Sequence, residues 1–169
     1  MKNFGKGGET LIDGSNFPYS KTEEYKKSLK FTSDIVLIMF GTNDANPKCF
    51  LDPKRPTKFN GSAKEEFKSE YIKLIKDYKE KNKNTQIYVL TPMLIWVEKN
   101  PKKEFIKERK EALNSWVIPI VKEIALEQDV TLIDVYQLIK KSLKFSKDGV
   151  HLTKDGYKVL AKKIGKEIK

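Results

Sequence analysis

The stretch "DIVLIMFGTND", residues 34–44, decides the fold of this chain. After Asp34 its residues are apolar as far as position 40, without the alternation expected of a strand that has one wet face. A short continuous run of this kind is typical of a parallel strand covered on both faces. The polar group "GTND" follows at once, and in open α/β sheets binding sites form at the carboxyl ends of the strands. The stretch therefore predicts both a buried strand and one side of a site.

Two further apolar runs extend the pattern along the chain. They are "QIYVL" at residues 86–90 and "VTLID" at residues 130–134. Apolar residues at helical spacing predict one helix ending near residue 81, a second from about 103 to 128, and a last one after Thr153. Pro119 is expected to kink or divide the second helix. Strands that alternate with helices predict an α/β fold with a parallel sheet and right-handed crossovers.

Size and composition limit the classes of protein that this chain can represent. Its 169 residues predict a single domain, residues 1–169, with a substantial core. It contains no apolar stretch long enough for a membrane helix, and its first residues lack the apolar run of a secretory signal. With Cys49 as the only cysteine, an intrachain disulfide is excluded. We expect a free structural cysteine rather than a nucleophile, and no metal, because one histidine and one cysteine make a poor zinc site.

The net charge of +11 raises the possibility of nucleic-acid binding. Of the 34 basic residues, however, only Arg55 and Arg109 are arginines, the residue type that suits bidentate phosphate and base contacts. The lysines are scattered over every helical segment rather than gathered into one block. A lysine-rich solvated surface is therefore the preferred interpretation, and no nucleic-acid partner is expected.

Three polar segments could carry chemistry. They are "NFGKGGET" at residues 3–10, "GTND" at 41–44 and "DGVH" at 148–151. Each has an ordinary explanation when taken alone. The first could cradle a phosphate, although it lacks the ending of a P-loop. Asn43 could simply cap a turn, and Asp148 with Gly149 could simply form one.

Together the three segments supply most of an acyl-transfer site. Such a site needs a base, a group that orients the base, and donors for the oxyanion. His151, the only histidine, can act as the base, and Asp148 can hold its tautomer and stabilise its charged form. The backbone N–H of Gly8 and the side-chain amide of Asn43 can donate to an oxyanion. The combination favours catalysis over three unrelated turns.

The order of these blocks resembles the SGNH (GDSL-type) hydrolases. The blocks run from Asn3 to Gly8, from Gly41 to Asp44 and from Asp148 to His151. The segments "KFTSDIVLIMFGTNDANP" and "FSKDGVHLTKDGYKVLAKKI" look most like the carbohydrate-ester branch, near sialate O-acetylesterase and acetylxylan esterase domains. The resemblance implies a three-layer α/β/α flavodoxin-like parallel sheet and a carboxylic ester hydrolase without a cofactor. It also implies that Gly8 and Asn43 are oxyanion donors, Asp148 the acid and His151 the base.

The family's first block, glycine-aspartate-serine, is absent from these 169 residues. That block supplies the nucleophilic serine and precedes the Gly8 block. Asp13-Gly14-Ser15 has the wrong order and follows the Gly8 block, and Ser142 and Ser146 follow no strand. In subtilisin, loss of the serine alone costs about a millionfold in turnover, so by analogy these 169 residues alone are expected to be inactive. We also expect an N-terminally incomplete domain that lacks its first strand and most of its second, which would leave the strand at 34–40 with a bare apolar edge.

Two other functions stay open. The chain could be a non-catalytic relative that binds a carbohydrate ester or a partner protein, or a basic nucleic-acid-binding module. Trp96 could stack on a sugar, although packing beneath a loop is the preferred interpretation. The sequence leaves open the acyl group, the alcohol, the oligomeric state and the compartment, including whether a signal peptide belongs to the protein.

Overall fold

The computed structural model describes residues 1–51, 61–99, 104–139, 145–146 and 148–168. Its helices and strands are α1 Glu23–Lys30, β1 Ile35–Ile38, α2 Gly61–Lys81, β2 Gln86–Leu90, α3 Glu104–Ala112, α4 Ile118–Glu127, β3 Thr131–Ile133, α5 Val135–Leu138 and α6 Lys154–Glu167. Strands and helices alternate, which confirms the predicted α/β class. Among the described residues, no helix is both long and apolar enough to span a membrane.

The three strands form one parallel sheet in the order β1-β2-β3. Ile35 of β1 pairs with Gln86 of β2, and Tyr88 of β2 pairs with Thr131 of β3. All three predicted strands are present, although β1 and β3 are shorter than their apolar runs. Because the strands are parallel, their carboxyl ends lie along one edge of the sheet, where the site was expected.

Helices cover both faces of the sheet and divide the core into two clusters. On one face, Ile38 and Val89 pack with the fully buried Phe67 of α2 and Val121 of α4. The second cluster lies on the other face and combines side chains of β2 with those of α5 and α6. Its buried members include Tyr88, Leu90, Val135 and Leu160. The architecture is therefore three layers, as the resemblance implied.

The helical segment at 104–127 contains a π-helical turn, Leu113–Val117, between α3 and α4. The N–H of Ile118 donates to the carbonyl oxygen of Leu113, five residues earlier. Pro119 lies in the first turn of α4, where a missing N–H is tolerated. Pro119 was expected to kink or divide this helix; the segment instead stays helical from 104 to 127, and its irregularity is a π turn directly before Pro119.

The outer face of β1 is open. Ile35, Leu37 and Met39 are each 40–41% exposed, and Leu37 lies on the same side of the sheet as Tyr88 of β2. In the described part of the sheet β1 pairs only with β2, so its other edge is unpaired. The bare apolar edge expected from the sequence is present.

Local hydrogen bonds explain where two of the helices begin. The hydroxyl of Thr153 accepts the N–H of Gly156, so α6 starts where the sequence predicted. The hydroxyl of Thr22 caps α1 in the same way by accepting the N–H of Tyr25. Sequence analysis did not predict α1, because its eight residues, "EEYKKSLK", are mostly charged and include only two large apolar side chains, Tyr25 and Leu29.

Candidate active site

Asn43 lies in the turn that follows β1 and contacts the glycine-rich N-terminal segment. Its amide Nδ2 donates to the carbonyl oxygen of Glu9 at 2.8 Å, which places it beside Gly8. Gly8 has a φ of +90°, a left-handed conformation that favours glycine. The structure therefore brings together the two residues that sequence analysis named as oxyanion donors.

Asp44 fastens this turn to the N-terminal segment. Its carboxylate accepts the N–H groups of Leu11 at 2.7 Å and Ile12 at 3.0 Å, and that of Gly41 at 3.1 Å. Complete burial raises the pKa of Asp44 to about 6, against the lowering effect of these hydrogen bonds. Sequence analysis quoted Asp44 within "GTND" but gave it no role. Its role is to hold residues 11–12 against the turn that carries Asn43.

Gly41 begins the turn at a point where only glycine fits. Its φ is +116°, and a Cβ built there would lie 2.4 Å from Cγ1 of Val117 and 2.9 Å from Cγ of Pro92. Helix and loop atoms therefore press against the backbone directly after β1. This close approach fixes the path of the chain into Asn43.

Arg109 of α3 is the functional candidate that sequence reasoning missed. Its guanidinium Nε donates to the carbonyl oxygen of Thr42 at 2.6 Å, and Nη2 donates to Oδ1 of Asn43 at 2.6 Å. Burial lowers the pKa of Arg109, although Cys49, Asp44 and Asp148 act in the opposite direction. The available signal was that the chain places an arginine here and a lysine at almost every other basic position.

Asp148 and His151 form a hydrogen-bonded pair in the loop before α6. Nδ1 of His151 lies 2.6 Å from Oδ2 of Asp148, while Oδ1 accepts the N–H groups of Val150 at 2.9 Å and His151 at 2.8 Å. Partial burial alone would raise the pKa of Asp148, but the bonds from the His151 ring and from these N–H groups lower it to about 2. The carboxylate is therefore ionised and accepts a hydrogen bond from the N–H at Nδ1 of His151. That tautomer leaves Nε2 of the neutral ring as the basic atom.

Three contacts hold the loop that carries this pair. The hydroxyl of Ser146 donates to the carbonyl oxygen of His151 at 2.9 Å and accepts the N–H of Gly149 at 2.9 Å. The N–H of Trp96 donates to the carbonyl oxygen of Gly149 at 2.9 Å. Trp96 is only 4% exposed and belongs to the second core cluster, so its ring packs beneath the loop, as preferred from the sequence.

The two pairs of candidate residues lie at the same edge of the sheet. Asn43 follows β1, and the Asp148 loop rests on Trp96, which follows β2. The charge of Asp148 is near enough to Arg109 to affect the pKa of the guanidinium that holds Asn43. This edge therefore combines two groups that can donate hydrogen bonds to an anion with the imidazole of His151, which is paired with Asp148. The His151 side chain is 74% exposed.

The hydrogen bonds of serine hydroxyls in the described ranges go to partners other than the His151 ring. Ser15 is fully buried, and its Oγ shares a hydrogen bond with the hydroxyl of Thr10 and accepts the N–H of Phe17. Ser146 bonds the backbone of its own loop. Ser142 lies outside the described residues. No described serine hydroxyl donates to the His151 ring, so the described residues present a base without an alcohol bonded to it.

Cys49 does not replace the missing alcohol. It is buried, and burial raises the pKa of its thiol even though Arg109 acts to lower it. A buried protonated thiol is a poor nucleophile. Where the chain is described, no group of three or more His, Cys, Asp or Glu side chains is arranged to hold a metal ion.

Comparison with known proteins identifies the family. The sequence model of the GDSL-like lipase/acylhydrolase family matches residues 1–164. The chain belongs to this family. An acetylxylan esterase from Xylanibacter ruminicola is 26% identical to this GDSL-like chain over 179 aligned positions, which include the whole chain. The alignment covers 35% of that esterase, so the chain spans about a third of the length of its relative.

Solved structures of related esterases share the fold of this GDSL-like chain. The acetyl xylan esterase AlAXEase superposes with a TM-score of 0.66 at 19% identity, covering 98% of this chain and 79% of its own. The acetylxylan esterase Axe2 from Geobacillus stearothermophilus superposes with a TM-score of 0.64 at 22% identity, covering 95% and 68%. These likenesses confirm the SGNH hydrolase fold.

Proposed function

We propose that this chain carries the base and the oxyanion donors of a serine esterase that deacetylates a carbohydrate ester. The nucleophile would be a serine in a glycine-aspartate-serine block that these 169 residues do not contain. Membership of the GDSL-like family supports an ester hydrolase, and the acetylxylan esterase relatives support a carbohydrate ester as substrate. A serine-to-alanine variant of the Geobacillus enzyme is a catalytic mutant, which supports serine as the nucleophile.

In the proposed first step, the serine oxygen attacks the ester carbonyl while Nε2 of His151 takes the serine proton. Asp148, ionised and bonded to Nδ1, stabilises the imidazolium that results. The carbonyl oxygen becomes an oxyanion that accepts hydrogen bonds from the N–H of Gly8 and from Nδ2 of Asn43. Collapse expels the sugar alkoxide, which takes the proton back from His151 and leaves an acyl-serine.

The second step repeats the first with water as the nucleophile. His151 takes a proton from the water as its oxygen attacks the acyl carbonyl. The same two donors stabilise the second oxyanion. The serine oxygen then leaves and recovers its proton from His151, which releases the acid and restores the enzyme.

The observation that carries the proposal is the 2.6 Å contact between Asp148 and the only histidine of the chain. It provides an imidazole with a fixed tautomer and an accessible Nε2. General-base catalysis of this kind contributes roughly a hundred- to ten-thousandfold, and each oxyanion donor roughly a hundred- to a thousandfold. On this proposal, the described residues would supply the base, its carboxylate partner and two oxyanion donors to the serine.

Acetate release by the product of the complete gene tests the proposal. With acetylated xylooligosaccharides, we expect His151→Ala to reduce kcat about a thousandfold or more. Asp155→Ala is the matched control, because Asp155 is an exposed carboxylate in the first turn of α6. Undiminished acetate release by His151→Ala would contradict the proposed base, and an inactive complete product would contradict the esterase.

A second candidate is a non-catalytic domain that binds a carbohydrate ester or a partner protein. It is favoured by one observation, that no described serine hydroxyl is bonded to the His151 ring. Intact mass distinguishes the two candidates. The esterase requires a gene product heavier than 19.6 kDa with the glycine-aspartate-serine block in the additional sequence. A folded product of 19.6 kDa would support the binding domain instead.

A further inference from the structure

We propose that Arg109 is a positioning residue that orients the Asn43 amide toward the substrate and keeps a positive charge behind it. The inference rests on the proposed function insofar as the acceptor is an ester oxygen. The contact itself is a property of the described structure: Nη2 of Arg109 lies 2.6 Å from Oδ1 of Asn43. Arg109 would therefore act through Asn43 rather than on the substrate.

Hydrogen-bond chemistry fixes the orientation of the amide. A guanidinium can only donate, so the Asn43 atom facing Arg109 must be the carbonyl oxygen. A backbone carbonyl can only accept, so the atom facing Glu9 must be the amide nitrogen. The two contacts agree, and neither is compatible with a flipped amide. The bond to Glu9 uses one hydrogen of Nδ2, which leaves the second for an oxyanion.

The guanidinium of Arg109 is buried without a direct ion pair to any described carboxylate. The residue is 7% exposed, yet no described carboxylate lies within ion-pair distance of its guanidinium. Buried charges are costly and are normally paired with an opposite charge. Here the guanidinium bonds two neutral oxygens, one on the backbone of Thr42 and one on Asn43. A cation that is bonded directly to the amide oxygen polarises the amide N–H as a donor and favours negative charge on its acceptor.

The π-helical turn brings one side chain of α3 and one of the turn itself into contact with the loop at residues 41–43. Arg109 bonds the loop at Thr42 and Asn43, and Val117 touches the loop at Gly41. At about 100° per residue, eight residues of regular helix would place Val117 about 80° from Arg109 around the axis. A π turn accommodates one additional residue, which reduces the difference to about 20°. The turn at Leu113–Val117 therefore presents both side chains to one loop.

Two variants of Arg109 and one control test the inference. In Arg109→Met the donors and the charge are lost, whereas Arg109→Lys keeps the charge and one donor. Lys107→Met is the matched control, because Lys107 is an exposed cation on the same helix. In the complete gene product, we expect kcat for acetate release to fall 10- to 100-fold in Arg109→Met with KM within twofold. Arg109→Lys should recover part of the loss, and Lys107→Met should be unchanged.

A second readout does not depend on catalysis. In the 169-residue chain, the Asn43 side-chain amide gives a pair of ¹H–¹⁵N signals that can be assigned by their loss in Asn43→Asp. We expect this pair to move in Arg109→Met and to exchange with solvent faster, while the backbone signals of β2 and α6 keep their positions. A kcat and KM equal to wild type, or an unmoved Asn43 pair, would overturn the inference. If wild type were inactive but the Asn43 pair moved, the proposed esterase would fail while Arg109 would stand as the residue that orients the amide.

Discussion

Two regions of the site are built in opposite ways. The asparagine turn, Gly41–Asp44, is held by groups that are distant in sequence: the side chain of Arg109 from α3 and the backbone N–H groups of residues 11 and 12. The histidine loop, Ser146 with residues 148–151, is held mainly by bonds among its own residues and by one backbone contact with Trp96. Asp44 is fully buried, whereas the side chain of His151 is 74% exposed.

The geometry of the asparagine turn therefore depends on the whole fold, whereas that of the histidine loop depends mainly on local contacts. The asparagine turn cannot keep its geometry unless β1, α3 and the N-terminal segment are all in place. The histidine loop forms its Asp148–His151 pair within residues 148–151, without side chains that are distant in sequence. Substitutions in the turn should therefore change global stability, and substitutions in the loop should change the histidine with little effect on unfolding.

Gly41→Ala should have the largest effect. The new Cβ would lie 2.4 Å from Val117 at a φ of +116°, so overpacking and backbone strain combine. We expect a loss of about 4 kcal/mol in the free energy of unfolding, from about 1–3 for overpacking and about 1–2 for a left-handed alanine. Urea denaturation measures it. Gly7→Ala is the control, since a Cβ there meets nothing within 4 Å; equal stabilities of the two variants would contradict the close approach.

The ionisation of Asp44 should have the next largest effect. Its pKa is about 6 in the folded protein and about 3.9 in the unfolded chain, so the unfolded state loses this proton first as pH rises. The contribution of Asp44 to stability is therefore highest below about pH 4 and falls, by up to about 3 kcal/mol, as pH rises to 6 and above. Urea denaturation at pH 4.5 and 7.5 should show this fall in wild type and a smaller one in Asp44→Asn. The same pH dependence in both proteins would exclude Asp44 as its source.

Gly149→Ala should have a smaller effect on stability. Its Cβ would lie 2.4 Å from the carbonyl oxygen of Trp96 at a φ of +83°. The loop is held mainly by bonds among its own residues, so it can shift as a unit away from Trp96. We expect a loss of about 1–2 kcal/mol in unfolding free energy, together with displaced NMR signals for His151. Gly165→Ala in α6 is the control, because a Cβ there meets nothing within 4 Å. A loss as large as that of Gly41→Ala would remove the distinction between the two regions.

Asp148→Asn should have the smallest effect on stability and a clear effect on the histidine. The amide oxygen can still accept the N–H groups of Val150 and His151, so we expect a change below about 1 kcal/mol. Loss of the carboxylate should shift the neutral ring from a single Nδ1–H tautomer to a mixture, observed in the ¹⁵N shifts of its two nitrogens. Asp155→Asn, another exposed carboxylate nearby, should leave those shifts unchanged. An unmixed tautomer in Asp148→Asn would show that Asp148 does not set it.

The features that the sequence predicted correctly are those that depend on residues close to one another along the chain. Continuous apolar runs marked the three strands, Thr153 marked the start of α6, and the three polar segments marked Gly8, Asn43, Asp148 and His151. The Asp148–His151 contact was predictable because only three residues separate the pair. Their catalytic roles, like that of Gly8 and Asn43, remain proposals.

The parts that could not be predicted depend on contacts distant in sequence. Arg109 lies 66 residues from Asn43, and Asp44 lies 33 residues from Leu11. Neither hydrophobic periodicity nor a short sequence motif indicates that residues so far apart in sequence are in contact. The π turn was missed for a related reason, because Pro119 indicates a break in a helix but not its form.

The most direct test of the central claim is fluorophosphonate labelling of the complete gene product, with the labelled residue located by peptide mass spectrometry. The reagent reacts with a serine that an adjacent base has activated. We expect one adduct, on the serine of a glycine-aspartate-serine block outside residues 1–169, and its loss in His151→Ala. An adduct on any serine within these residues, no adduct at all, or labelling that persists in His151→Ala would contradict the proposed site.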